Sequence, residues 1–304
     1  MKNLKKNFNS CLDFVGEFFS RMHFNRMSYG FSKLYQNPFV IFFNDTLSNQ
    51  INIYGRHEFE MLDFIKKKII KKKRNRVFLD IGANIGNHSL NLQKYFTKII
   101  CFEPHPIIFG ILKLNLLYFD NIKLLNFGLS NKRSSGIMLK KQLNMAGINA
   151  NNIFFNKENK KNIYYQIKLD KLDNLLSEYT HFKKKNSIDL IKIDIEGSEL
   201  KALEGMQKIL KNNSAYIFLE SNIKTFDYSG ESKLLKKLDY KYFYCLKSNK
   251  TEVRFRNLIL ILIKTLILGR KKLQTTLFDI EGLSNIKNYN FFYNDLVICS
   301  KERL

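Results

Sequence analysis

Residues 77–86, Val-Phe-Leu-Asp-Ile-Gly-Ala-Asn-Ile-Gly, form the stretch that decides the fold. An apolar run ends at Asp80, a tight glycine turn follows, and an amphipathic segment begins after Gly86. This order predicts a buried strand, a glycine loop and a helix N-terminus. Gly82 and Gly86 let the backbone approach a ligand closely at the carboxyl end of the strand, where nucleotide-like cofactors bind in open α/β sheets.

A second apolar run ends in an acid about 20 residues further on, at Lys98-Ile-Ile-Cys-Phe-Glu103. In nucleotide-binding α/β folds, an acid at the tip of the second strand accepts hydrogen bonds from ribose hydroxyls. Glu103 has a second interpretation, because a carboxylate also caps a helix well and a helix is predicted to begin near Pro106. The glycine loop at the expected spacing upstream favours cofactor binding.

A third apolar run, Ile188-Asp-Leu-Ile-Lys-Ile-Asp194-Ile-Glu196-Gly197, brings two acids to its carboxyl end. A helical pattern follows over residues 198–210. Three acid-tipped strands, each followed by a helix, make repeated βα units. The sequence therefore predicts an α/β fold with a parallel sheet.

Four blocks occur in this order: Asp80-Ile-Gly-Ala-Asn-Ile-Gly-Asn-His-Ser-Leu90, Phe102-Glu-Pro-His-Pro106, Leu125-Asn126 with Leu129-Ser130-Asn131, and Ile191-Lys-Ile-Asp-Ile-Glu-Gly-Ser-Glu-Leu200. Together they resemble the FkbM family of S-adenosylmethionine-dependent methyltransferases, from about residue 54 to about residue 247. The resemblance implies a Rossmann-like methyltransferase fold, with a mostly parallel seven-stranded sheet and helices on both faces. It also implies S-adenosyl-L-methionine as cofactor and O-methylation, often of a sugar hydroxyl in a glycan or natural product.

The predicted cofactor-binding residues are Asp80, Gly82, Asn84, Gly86, Glu103 and Asn126. Glu103 suits the ribose diol of the cofactor. Asp80 suits the ammonium of its amino-acid tail, and the amides of residues 82–86 suit the tail's carboxyl group. Asn84 stands where many methyltransferases have glycine, and asparagine adopts a positive φ at modest cost. Asn126 is predicted either to lie beside the adenine edge or to form a turn.

The predicted catalytic residues are Asp194 and Glu196, because a neutral hydroxyl is a poor nucleophile and needs a base to take its proton. If the strand stays extended, their side chains point to opposite faces, so only one is expected to reach the methyl group. Alternatively, the two acids orient Lys192 or cap the following helix. His88 is either a contact to cofactor or acceptor or a packed, capping residue, and Glu220 is a candidate for the acceptor site. No His, Asp and Glu grouping in the sequence has metal-ligand spacing, so no metal is expected.

The composition combines 51 basic with 27 acidic residues, a net charge of +24. Such an excess favours anionic partners, although a lysine-rich solvated surface gives the same balance. The basic run 66–76 has no interleaved aromatic residues for stacking on bases, so nucleic acid is not the expected partner. Cys11, Cys101, Cys245 and Cys299 include no C-x-x-C pair, which predicts reduced thiols in a cytoplasmic protein.

Two domains are predicted. Residues 1–75 are expected to form a helical, amphipathic N-terminal arm (1–37) and a strand pair between Pro38 and Tyr54. Residues 76–304 are expected to form the methyltransferase domain, with an insertion at about 248–285. The insertion contains the apolar segment 258–269, which is too short to span a bilayer. With its basic flanks, the segment 254–272 is predicted either to lie on the inner membrane face or to be buried in the core or in a dimer contact.

Two other functions compete with the methyltransferase prediction. A nicotinamide dehydrogenase would use the same kind of sheet, but the loop lacks the Gly-x-Gly-x-x-Gly spacing. A basic membrane- or RNA-associated binding protein with a degenerate methyltransferase fold is favoured by the charge and by the apolar segment. Intact acids at three strand tips oppose it. The sequence names neither the hydroxyl-bearing acceptor nor the oligomeric state.

Overall fold

A mostly parallel sheet forms the centre of the protein, whose structure is a computed structural model. The structure describes residues 13–19, 21–22, 39–42, 45–70, 77–139, 153–154, 164–177, 185–223, 225–248, 275–280 and 292–304. The strands are β1 (Val77–Ile81), β2 (Lys98–Phe102), β3 (Ile122–Leu125), β4 (Gly128–Leu129), β5 (Ser134–Leu139), β6 (Ile153–Phe154), β7 (Tyr164–Asp170), β8 (Leu190–Ile193), β9 (Tyr216–Glu220), β10 (Tyr242–Ser248), β11 (Thr275–Asp279) and β12 (Phe292–Ser300).

Eight of these strands make the main sheet, in the order β11-β10-β12-β9-β8-β1-β2-β3. The pairs β1–β2, β2–β3, β1–β8 and β8–β9 are parallel. Strand β12 runs antiparallel to β9 and β10. The predicted fold class is confirmed, and β11 adds an antiparallel edge strand from within the segment predicted as an insertion.

The helices are α1 (13–19), α2 (Thr46–Tyr54), α3 (Phe59–Phe64), α4 (Asn87–Leu92), α5 (Pro106–Asn115), α6 (Leu172–Leu175), α7 (Glu199–Glu204), α8 (Gln207–Asn212) and α9 (Gly230–Lys237). One turn of π-helix, Ile65–Ile69, extends α3. The helix predicted over residues 198–210 is instead two short helices, α7 and α8. They meet at Gly205, where a Cβ would overlap the carbonyl oxygen of Ser130.

The strand pair predicted between residues 38 and 54 is wrong for its second half, because Thr46–Tyr54 is helical. Asp45 caps this helix by accepting a hydrogen bond from the backbone N–H of Ser48. Gly55 ends it with a φ of 79°. The alternation from Ile51 to Tyr54 resembled a strand, but the capping aspartate and the terminal glycine favour a helix.

A second, smaller sheet, which the sequence analysis did not predict, has the order β4-β7-β5-β6. Strand β7 pairs parallel to β4 and antiparallel to β5. Its buried side chains, Ile167 and Leu169, pack with Met138 of β5 and Ile108 of α5. This sheet therefore stands beside the carboxyl ends of β1 and β2.

The main sheet is buried on both faces. Val77 and Leu79 of β1 pack in one core cluster, and Phe78 packs in the cluster on the other face. Met61 and Leu62 of α3 share the second cluster, so residues 59–69 belong to the same core as the sheet. Cys101, Cys245 and Cys299 are buried free thiols. Among the described residues, no helix combines the length and the apolar character that crossing a bilayer requires.

Candidate active site

A cavity of about 600 Å³ lies at the carboxyl ends of β1, β2, β8 and β9. Gly82, Glu103, Asp194 and Glu220 contribute to its floor, each from the end of a different strand. The second sheet supplies part of the opposite wall, through Ser134, Met138, Ile167 and Leu169. This is the position at which open α/β sheets bind their ligands.

The glycine loop after β1 has left-handed conformations, with φ of 77° at Gly82 and 96° at Gly86, and of 51° at Asn84, where a positive φ was predicted. The reason for each glycine differs from the one predicted. A Cβ at Gly82 would overlap the backbone oxygen of Asp194, so this glycine lets the tips of β1 and β8 approach each other. A Cβ at Gly86 would press on Leu112 and Leu116 of the α5 region, so this glycine serves helix packing.

Glu103 lies at the tip of β2 and faces the cavity with only 6% of its surface exposed. One carboxylate oxygen accepts from the N–H of Asn84 at 3.1 Å and the other accepts from the N–H of His105 at 2.9 Å. Burial raises the pKa of Glu103 to about 7, although these hydrogen bonds oppose the rise. The carboxylate keeps lone pairs that hydroxyl donors of a ligand can use.

Asp80 lies beneath the loop and does not line the cavity. Its carboxylate accepts a 2.6 Å hydrogen bond from the Ser89 hydroxyl and lies 4.0 Å from the Lys192 ammonium. The direct contact predicted between Asp80 and the cofactor's tail does not fit this fully buried position. Through these two contacts Asp80 is placed to hold Lys192 and helix α4 in position.

Asn126 follows β3 at a position where the backbone forms no turn, so the structure does not show the turn that was one of its two predicted roles. Its side-chain amide donates to the carbonyl oxygens of Glu103 and Pro104, at 2.8 and 3.0 Å. The side chain thereby fixes the backbone that carries Glu103. It does not line the cavity.

Asp194 lines the cavity just after β8 and is ion-paired with Lys192 across 2.9 Å. The Lys192 ammonium also lies 3.4 Å from the carbonyl oxygen of Gly82. Burial opposes ionisation of Asp194, but the charge of Lys192 and a hydrogen bond from Glu220 hold its pKa below the usual range. Burial and the neighbouring charge of Asp194 raise the pKa of Glu220, which therefore keeps its proton at neutral pH.

Asp194 and Glu196 both line the cavity, although their side chains were predicted to point to opposite faces of an extended strand. The strand ends at Ile193, and Glu196 has a φ of 53°, so the alternation of an extended strand no longer applies. Carboxyl oxygens of Asp194, Glu196 and Glu220 lie within 4.8 Å of one another, a grouping of metal-ligand type that comes from two strands. The loop after β8 is capped by Glu199, which accepts from the N–H groups of Ile195 and Gly197.

Sequence reasoning missed several cavity residues, among them His57, Glu58 and His105. His105 is fully buried, and its Nδ1 accepts from the N–H of Ile108 at 3.4 Å. Its Nε2 has no hydrogen-bond partner among the residues that the structure describes. Its place two residues after Glu103, within the Phe102-Glu-Pro-His-Pro106 block, was the available signal. His88 also reaches the cavity, where its Nε2 lies 3.0 Å from Glu58 Oε2.

Comparison with known proteins gives a consistent result. The methyltransferase FkbM domain matches residues 80–242. The methyltransferase sdnD of Sordaria araneosa is 29% identical over 164 residues, which cover 44% of this chain and 61% of that protein. The structure of methyltransferase FkbM from Methylobacillus flagellatus KT is 15% identical, with a TM-score of 0.39, and the match covers 73% of this chain and 55% of that one.

A Streptococcus mutans protein solved in complex with SAH is 11% identical, with a TM-score of 0.37, over 81% of this chain and 98% of that chain. The chain thus spans less than two thirds of the length of sdnD and of the Methylobacillus protein.

Proposed function

The chain belongs to the FkbM methyltransferase family, and from that premise we propose that it transfers a methyl group from S-adenosyl-L-methionine to a sugar hydroxyl of a glycan or glycolipid. The family predicted from the four sequence blocks is thereby confirmed.

The buried position of Glu103 at the cavity is the main support for S-adenosyl-L-methionine as the cofactor in this proposal. A buried carboxylate at the tip of the second strand is costly unless something uses it, and burial has raised the pKa of Glu103 to about 7. Both of its oxygens are oriented by backbone N–H groups, and the side chain faces the cavity. A ribose diol would donate two hydrogen bonds to such a carboxylate.

The rest of the cavity also fits S-adenosyl-L-methionine. Its volume of about 600 Å³ lies within the range of small-molecule sites. The buried, unpartnered Nε2 of His105 lies two residues from Glu103 and can bond a polar atom of a ligand. The loop residues Gly82, Ala83 and Asn84 bring their backbone to the cavity wall.

When bound, S-adenosyl-L-methionine supplies an electrophilic methyl group on a sulfonium. The chain's own contribution is to bind and orient the two reactants, which accounts for much of the rate in such displacements. The polar cluster of Asp194, Glu196 and Glu220 can accept or donate hydrogen bonds to neighbouring hydroxyls of a sugar. Ser134 and Lys201 add further polar groups to the same cavity.

The proposal is tested in two steps. Calorimetry with S-adenosylhomocysteine, NAD and an unstructured RNA, run side by side, should give binding with S-adenosylhomocysteine alone. Radiolabelled S-adenosyl-L-methionine and a panel of p-nitrophenyl glycosides should then give a labelled glycoside, with the methyl group located on oxygen by mass spectrometry. Binding of NAD in place of S-adenosylhomocysteine would reject the cofactor assignment. Label transfer to none of the glycosides would reject the sugar acceptor.

The alternative of a non-catalytic binding protein with a degenerate fold is not favoured. A site that binds no cofactor has no use for costly buried ionisable groups, whereas Glu103, Lys192 and Asp80 are all buried and held by specific contacts. We propose a cytoplasmic location, with a peripheral contact to the inner membrane face if the acceptor is lipid-linked. The segment 254–272, which would make that contact, lies outside the described residues.

A further inference from the structure

The turn between α2 and α3 holds His57 and Glu58 at the wall of the cavity. The N–H of His57 donates to Asn87 Oδ1 at 2.9 Å, and Asn87 Nδ2 donates back to the carbonyl oxygen of His57 at 3.1 Å. Asn87 is the first residue of α4 and is buried. The backbone of His57 is therefore attached on both sides to the helix that follows the glycine loop.

Glu58 is fixed by the next residue of the same helix. Its Oε2 lies 3.0 Å from His88 Nε2, and its φ of 49° is a left-handed conformation that costs a non-glycine residue energy. Such strain persists where the surroundings hold it, commonly at functional sites. Two successive residues of α4, Asn87 and His88, thus hold two successive residues of the turn against the cavity.

The orientation of the His57 imidazole follows from its contact with α2. Its Nδ1 lies 2.9 Å from Gln50 Oε1. An amide oxygen only accepts hydrogen bonds, so Nδ1 carries the proton and Nε2 carries a lone pair.

The protonation state of His57 follows from its surroundings. Burial lowers its pKa, His88 and Lys192 act in the same direction, and the charges of Glu58 and Asp194 only partly offset them. The ring is therefore a neutral imidazole at pH 7, with a basic nitrogen available.

Asp194, one of the two acids predicted to act as base, is less suited to the task, and so is its neighbour Glu220. A proton acceptor works best when its pKa lies near the working pH. The pKa of Asp194 is held below the usual range, and Lys192 already occupies its carboxylate at 2.9 Å. Glu220 keeps its proton because its pKa is raised, so it can donate a proton but cannot take one from the acceptor hydroxyl.

We infer that His57 is the base that takes the proton of the acceptor hydroxyl, an inference that rests on the proposed methyl transfer. In this step the hydroxyl proton moves to Nε2 of His57. The acceptor oxygen forms its bond to the methyl carbon while the carbon–sulfur bond breaks, and that electron pair stays on sulfur. The resulting imidazolium lies among the negative charges of Glu58 and Asp194 and releases its proton to solvent.

The first test measures the tautomer and the pKa of the His57 imidazole and needs no methyl acceptor. The chain has five histidines, and the ¹⁵N signals of His57 are assigned by their loss in His57→Gln. In the S-adenosylhomocysteine complex we expect the Nδ1–H tautomer and a pKa below 6.5. Gln50→Glu keeps an accepting oxygen at Nδ1 and adds a charge, so it should preserve the tautomer and raise this pKa. An Nε2–H tautomer, or a pKa above 7 in the wild type, would overturn the inference.

The second test follows methyl transfer to the p-nitrophenyl glycosides. We expect His57→Gln to lower kcat by a factor of about 10² or more, within the range of general-base catalysis. Its affinity for S-adenosylhomocysteine should stay within about threefold, which also shows that the variant is folded. The acid limb of the wild-type pH–rate profile should disappear in His57→Gln, move to higher pH in Gln50→Glu and persist in Asp194→Asn.

The outcomes of the second test separate the two proposals. If wild type methylates a glycoside and His57→Gln keeps a comparable kcat, His57 is not the base. If Asp194→Asn loses the acid limb while His57→Gln retains it, Asp194 has that role. If wild type methylates none of the glycosides, the sugar acceptor is rejected, and the tautomer and pKa of His57 still decide the inference.

Discussion

Replacing Glu103 by Gln tests the cofactor site with almost no change in side-chain shape. At pH 8 we expect the affinity for S-adenosylhomocysteine to fall by ~1.5–3 kcal/mol, because a charge-assisted hydrogen bond to the ribose is lost. This corresponds to a factor of about 10 to 150 in Kd. The amide also has one accepting oxygen, whereas the N–H groups of Asn84 and His105 each need an acceptor.

The pH dependence of binding distinguishes this reason from a general loss of packing. With a pKa of about 7, Glu103 is mostly ionised at pH 8 and mostly protonated at pH 6. The ribose hydroxyls donate hydrogen bonds and so favour the ionised form. Wild-type affinity should therefore be about tenfold lower at pH 6 than at pH 8, since each pKa unit corresponds to a factor of 10. In Glu103→Gln this difference should disappear.

Isothermal titration calorimetry at the two pH values measures both effects. Asp227→Asn is a matched carboxylate-to-amide control, because Asp227 pairs with Lys236 on an exposed surface and does not line the cavity. The control should bind like wild type at both values. The reasoning is refuted if Glu103→Gln binds as tightly as wild type at pH 8, or if wild-type affinity does not change between pH 6 and pH 8.

Three further predictions concern Gly82, Lys192 and the segment 254–272. Gly82→Ala should lower the free energy of unfolding by at least ~1–2 kcal/mol and abolish binding of S-adenosylhomocysteine, because residue 82 has a positive φ and a Cβ there overlaps the backbone oxygen of Asp194. Wild-type stability of this variant in urea denaturation would contradict the prediction. Lys192→Met should destabilise the fold by ~3–5 kcal/mol, because it leaves Asp80 buried without its cation, whereas Lys236→Met breaks an exposed ion pair and should cost at most ~1 kcal/mol. Equal urea midpoints for the two variants would contradict this prediction. If 254–272 contacts the membrane, the protein should float with anionic but not neutral liposomes at low salt, and high salt should release it; failure to float at low salt removes the membrane contact.

The sheet could be predicted from the sequence because its strands are continuous apolar runs that end in acids. Strands β1, β2 and β8 are buried on both faces, so their residues carry an uninterrupted signal. Helix α2 was mistaken for a strand because its apolar residues alternate near Ile51. The second sheet was largely missed because β4 and β6 have only two residues each and β5 begins within the polar stretch 130–135.

The sequence could predict residues of the candidate site only where an acid stands at the end of a predicted strand. Glu103 lies at the cavity as expected, because an acid at the end of β2 must face the edge where ligands bind. The parts that were missed depend on tertiary contacts. His57 reaches the cavity only because Asn87, 30 residues away, holds its backbone. Such a pairing has no signature in local periodicity, and neither has the approach of Glu220 to Asp194.

Glu103 also links ligand binding to stability, and the sign of the effect can be worked out. Its pKa rises from the ordinary 4.5 to about 7 on folding, so the folded protein holds the proton more tightly than the unfolded chain. Stability is therefore lost as pH rises from 4.5 to 7, by about 3 kcal/mol in all. Glu103→Gln lacks this loss, so its stability relative to wild type should increase between pH 5 and pH 8 in urea denaturation. Saturating S-adenosylhomocysteine should reverse the trend for wild type at pH 8, because the ribose stabilises the ionised carboxylate. A constant difference between the two proteins across this range would mean that Glu103 ionises normally and that the cavity is wetter than its burial indicates.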